Sequence, residues 1–141
     1  AFVTSSAPDI DQRLPLVSHR GFTHTVWFGL FLSLFLGAGA TIALSPFLVD
    51  GVSLNGLASI ASLLVENWPV FTVATIGCLA GFVSHLFGDI LTEAYDYTVN
   101  PFWPVSNRAY TLGWTTAGSK TWNWALLVIG VAATAGTVAL V

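Results

Sequence analysis

The chain has 141 residues and only three histidines, and all three lie close in sequence to groups that bind metals. His19 and His24 belong to HRGFTH (19–24), directly ahead of a long apolar run, and His85 belongs to SHLFGD with Asp89 four positions later. Residues four apart on a helix project from one face a turn apart, so His85 and Asp89 can present an imidazole and a carboxylate to one ion. Asp9 and Asp11, in PDID, are two apart and would point the same way in an extended segment. That arrangement would let both join the cluster. Imidazole and carboxylate donors without thiolate suit a divalent metal, zinc first, with manganese or iron as alternatives. Cys78 is the only cysteine, which excludes an internal disulfide. Arg20 and Arg108 bring guanidinium forks, which suit a phosphate or carboxylate substrate beside such an ion. Either could equally anchor at lipid headgroups. Glu93 and Asp96 read as a solvated loop, although Glu93 lies one turn further along the His85/Asp89 face.

The elements that must carry these groups are membrane helices. The sequence is 55% hydrophobic and 8% charged, against about 25% charged in a soluble domain. Apolar runs without Asp, Glu, Lys or Arg extend over Thr25–Val49, Asn67–Gly88 and Thr121–Val141. Each has about the 20 residues needed to cross a hydrocarbon core. The expected fold is a single all-α domain over 1–141, a polytopic bundle of three transmembrane helices with a short interfacial helix over 54–67. Lys and Arg total four, with Arg13 and Arg20 before the first helix and Arg108 and Lys120 between the second and third. Positive residues favour the cytoplasmic side of short loops, so the histidines, Asp9, Asp11 and Asp89 are expected at the cytoplasmic face. Tryptophans 27, 103, 114, 122 and 124 fit an inner interface, and Trp68 an outer one. A net charge of −3 without a basic patch gives no reason to expect a nucleic-acid partner.

Local signals add detail. Thr23 is a candidate N-cap for the first helix, Pro46 marks its outer end, and Pro69 falls in the first turn of the second. Gly77, Gly81, Ser84 and Gly88 line one face of the second helix and would let another helix approach closely. The aromatic loop 91–120, containing NPFWPVSNR, is long enough to be functional or to lie on the membrane surface. The first residues are polar and include no initiator methionine, which points to residues lost ahead of them.

PDID, HRGFTH, GFVSHLFGDILT and PFWP, in this order over residues 7–108, resemble the YdjM-like membrane proteins. These are inner-membrane-associated proteins assigned as metal-dependent hydrolases, and one bacterial member is described as LexA-binding. The family is thought to be a distant relative of zinc-dependent phospholipase C and P1-type nucleases. The resemblance implies a mostly helical metal site acting on phosphoester bonds. Asp9 and Asp11 match the family's early acidic pair, His19 and His24 its HRG-x-TH motif, and His85 and Asp89 its SH-xxx-D motif. Members usually carry a further N-terminal hydrophobic helix, often with another histidine, which these residues do not include.

The expected function is therefore hydrolysis of a phosphoester, on a phospholipid or a lipid-linked phosphate, at the cytoplasmic face of the inner membrane. The metal ligands would come from Asp9, Asp11, His19, His24, His85 and Asp89. Asp9 or Asp11 would serve as general base, and Arg20 and Arg108 would contact substrate. Which carboxylates bind metal and which act on water is left open by the sequence. The alternative is a non-catalytic membrane subunit or scaffold with a structural metal or polar site, in an oligomer or larger membrane complex. A proton-relay transporter fits less well, because a relay would spread its ionisable groups through the membrane depth.

Overall fold

Thr25 begins the first long helix, α1 (Val26–Leu48). Its Oγ1 accepts the Phe28 backbone N–H at 3.2 Å and donates to the Phe22 carbonyl at 2.8 Å. This is an N-cap, and it replaces the one expected at Thr23. Thr23 instead lies within a 3-10 turn, Phe22–His24, and its hydroxyl is committed to Asp11. At the far end α1 continues two residues beyond Pro46. Proline has no N–H to bond the carbonyl four residues back, and the Ser45 hydroxyl takes that carbonyl, on Ile42, at 2.7 Å. The computed structural model of the chain describes residues 4–13, 21–48, 54–92, 98–116, 118–122, 124–126, 128–129 and 132.

The expected interfacial segment forms α2 (Leu57–Glu66). Only Asn67 separates it from α3 (Trp68–Leu91), and this residue bonds the Leu63 carbonyl with both its backbone N–H and its Nδ2. Pro69 occupies the second position of α3, where a missing N–H leaves no helical bond unmade.

The α1–α3 contact rests on small residues of α1. Gly29, Ser33, Gly37, Thr41 and Ser45 recur every fourth position and are all buried. A Cβ at Gly29 would collide with the Phe82 ring, and one at Gly37 with Thr75. The early part of α1 thus meets the late part of α3 and the pair is antiparallel. The close-approach face expected on α3 is only partly used. Gly81 is buried, but Ser84 is exposed and both Gly77 and Gly88 face open space. Small-xxx-small packing joins these two helices, with α1 supplying most of the small side.

Both α1 and α3 are long and apolar enough to cross a membrane. Their outward faces carry Phe31, Phe35, Phe47, Val73 and Ile76, each at least 60% exposed. A core helix of a soluble protein would bury such side chains, whereas lipid solvates them at no cost. The third expected span, 121–141, falls mostly outside the described residues; those described between 121 and 132 are helical.

Residues 98–116 join the ends of α1 and α3. The Pro101 carbonyl accepts the N–H of Val26, the first residue of α1, at 2.8 Å. The Leu112 and Trp114 N–H groups reach the Ile90 and Leu91 carbonyls at 2.7 and 2.9 Å. Gly113, with φ of +60°, supplies the left-handed turn between those two donors. Groups that helix ends leave unbonded are thereby satisfied at both helices by one segment. Val99 is fully buried against Phe82 and Leu86, with Val26, Phe28 and Leu32 around them. Two members of this core, Phe82 and Leu86, flank His85 along α3.

Candidate metal centre

Three stretches bring the polar groups together. The first is the N-terminal arm, built of 3-10 turns Thr4–Ser6 and Pro8–Arg13. It lies along α3, with the buried Thr4 hydroxyl donating to the Cys78 carbonyl at 2.8 Å. Cys78 is seven residues before His85, about 10.5 Å up the helix axis. The arm therefore runs down α3 to the cluster. The second stretch is the Phe22–His24 turn, and the third is the last part of α3, which carries His85 and Asp89 on one face.

His24 is fully buried. Its Nε2 lies 3.4 Å from Asp89 Oδ2 and 3.8 Å from Asp9 Oδ1. His85 Nε2 lies 3.2 Å from the same Asp89 oxygen and 3.7 Å from the same Asp9 oxygen. The two rings are 5.6 Å apart between centroids, and ligand atoms of Asp9, His24 and His85 all fall within 4.8 Å of one another. The Asp9 side chain is 42% exposed, against 14% for Asp89 and 16% for His85, so the cluster opens on the Asp9 side.

These spacings fit an ion. A tetrahedral centre with ligand bonds of about 2.0–2.1 Å holds its donors about 3.3–3.4 Å apart. The Asp89 contacts fall close to that separation, and the Asp9 contacts are a few tenths of an ångström longer. Among the described residues, buried His85 Nε2 makes no hydrogen bond of good alignment and has Asp89 Oδ2 at 3.2 Å, an arrangement that an ion shared between the two would satisfy. The donor set of two imidazole nitrogens and two carboxylates is hard-to-borderline, as zinc, manganese or iron(II) prefers.

Asp11 has a different position from Asp9. An extended PDID would point both carboxylates the same way, but Pro8–Arg13 is a 3-10 turn. At three residues per turn, side chains two apart point in well-separated directions. Asp11 is buried behind His24, with Oδ2 3.2 Å from Nδ1, the nitrogen opposite the cluster. The Thr23 hydroxyl donates to that same Asp11 oxygen at 2.8 Å and lies 3.1 Å from His24 Nδ1. With its proton given to Asp11, the Thr23 oxygen can accept only from an Nδ1–H. The network therefore assigns the proton to Nδ1 and leaves Nε2 bare toward Asp9, Asp89 and His85. Thr23, read from the sequence only as a helix cap, belongs to this site; a hydroxyl next to a histidine in sequence was the one available sign. Burial lowers the pKa of His24 from the ordinary 6.5, against the pull of Asp89 and Asp11, and so favours the neutral ring.

Arg108 does not join the cluster among the described residues. It is exposed, and its guanidinium stacks over the Tyr110 ring 5.4 Å from the centroid. His19, Arg20, Glu93 and Asp96 lie outside the described residues.

Over residues 1–141 the chain matches the family model described as YdjM inner membrane protein. No curated protein and no solved structure matches it.

Proposed function

The chain belongs to the YdjM inner membrane protein family, and from that premise we propose that it is a membrane-embedded, metal-dependent hydrolase of phosphoesters. One observation carries this reading: His24 Nε2, His85 Nε2 and Asp89 Oδ2 converge, while the more exposed Asp9 stands slightly further off. Catalytic zinc sites use three protein ligands and keep a further position for water or substrate. In this assignment His24, His85 and Asp89 hold the ion, and Asp9 faces the open position. His19 and Arg20, in the same HRGFTH motif, are further candidates for metal and substrate contact, and Arg108 is a candidate for the substrate anion.

When bound, a divalent ion supplies Lewis-acid chemistry, acidifying water and offsetting charge on a phosphoryl oxygen. The protein's own groups do the rest. Asp9 Oδ1 takes a proton from the attacking water as its oxygen bonds to phosphorus and the ester oxygen leaves. The departing oxygen then takes that proton from Asp9, which returns to its carboxylate form. Asp11 and Thr23 hold the His24 ring in the tautomer that directs Nε2 inward, the carboxylate–histidine support common around metal ligands. In the sequence Arg13 and Arg20 precede α1, and Arg108 and Lys120 follow α3, which favours the cytoplasmic side for the site. The test is metal analysis of purified protein, with turnover of a generic phosphodiester and a phospholipid. Bound metal with chelator-sensitive turnover is expected.

A second reading has its own support. If Asp9 closes on the ion as a fourth ligand, the shell is complete and the metal is structural, tying arm, turn and α3 together. Full metal occupancy with no turnover of any phosphoester would select this scaffold.

A further inference from the structure

Beside the cluster is a cavity of about 240 Å³ between the end of α3 and Trp114, Thr115, Thr116, Trp122 and Leu126. We propose that it binds the hydrocarbon chain of an amphiphile whose anionic head meets the His24–His85–Asp89 group. This inference rests on the metal-centre reading above.

His85 and Asp89 belong to both the cluster and the cavity wall, so the two spaces are continuous. Elsewhere the wall is dominated by Leu91, Trp114, Trp122 and Leu126. Two of the three threonines among them offer a ligand little. Thr92 Oγ1 donates to the Asp89 carbonyl and Thr115 Oγ1 to the Thr116 carbonyl, so their protons are already used within the protein. A sugar or nucleoside in such a space would leave most of its hydroxyls without partners, whereas methylenes need none. The wall is also held in place: Trp114 is tied by its N–H to the Leu91 carbonyl. Trp114 and Trp122 remain exposed at the end of an apolar helix, where tryptophan marks a membrane interface. A lipid chain can therefore enter from the bilayer. The volume is about eight times the 30 Å³ share of one water, which suits the part of a chain nearest the head.

The probes are methyl-, butyl- and octylphosphonate, titrated by calorimetry into zinc-loaded protein in nanodiscs. Each buried methylene should tighten binding by up to about fourfold, so affinity should climb steeply from methyl to octyl. Leu126→Trp and Thr116→Phe fill the cavity from two sides. Each should flatten that climb while zinc content and methylphosphonate binding stay at parental levels. A parental chain-length dependence in both variants would overturn the inference and leave the metal centre standing. If the parent takes up no zinc, the hydrolase reading falls. The same series on the zinc-free protein then decides the cavity separately, and a flat series there removes this inference too.

Discussion

His24 and His85, from two segments far apart in the chain, stand 5.6 Å apart between ring centroids with Asp89 Oδ2 within 3.4 Å of both Nε2 atoms. A carboxylate serving two imidazoles at once makes the three groups one unit. His85→Ala and Asp89→Ala should each remove most bound metal, and the double variant should be little worse than either single. Strong non-additivity is the mark of groups in one coordination sphere. Elemental analysis after gel filtration measures it; full occupancy in both single variants would refute the ligand assignment.

Asp11 should behave differently, because it reaches the far nitrogen of His24. Asp11→Asn and Thr23→Val should weaken metal affinity by about 10–100-fold, the range typical of groups that orient a ligand. Neither should abolish binding at saturating metal. Competition against a chelator of graded strength gives the affinities, and complete loss at saturation would instead make Asp11 a direct ligand.

The α1–α3 seam predicts an asymmetry between glycines. Gly29→Leu forces a side chain into the Phe82 ring and should cost about 1–3 kcal/mol or more. Gly77→Leu projects into open space and should be nearly neutral. Thermal unfolding in a mild detergent compares them. Equal destabilisation would mean that the seam runs elsewhere.

Because burial lowers the pKa of His24, the folded metal-free protein resists protonating a ring that the unfolded chain protonates near 6.5. The unfolded state then binds the extra proton, so stability is fully present above pH 6.5 and declines as pH falls through the lower folded value. Metal uptake should weaken over the same interval, since a proton competes for Nε2. Melting temperature of chelated protein between pH 7.5 and 5 tests the sign. A midpoint that rises on acidification would contradict it.

Orientation is testable by labelling. On a Cys78→Ala background, a cysteine at the exposed Asn107 should be shielded from an impermeant thiol reagent in intact cells and react after lysis. Labelling from outside would turn the site to the opposite face.

Part of this protein could be read from residue order alone. The scarcity of charge and the length of the apolar runs determined a membrane helical class, because lipid leaves few ways to satisfy a backbone. His85 and Asp89 could be paired on sight, since four residues is one helical turn whatever packs nearby. Other features waited on the tertiary structure. Asp9 and Asp11 look equivalent in PDID, and only the 3-10 turn sends one to the front of His24 and the other behind it. The small residues of α3 drew the reading of a close-packing face, yet α1 supplies most of the seam because Phe82 and Thr75 of α3 project into it. The tying of both helix ends by residues 98–116, and the cavity that results, had no local sign. Backbone groups at helix termini accept any partner that comes within reach, so residue order cannot name it. Spacing within one element is a property of the chain; which face meets which neighbour is a property of the whole fold.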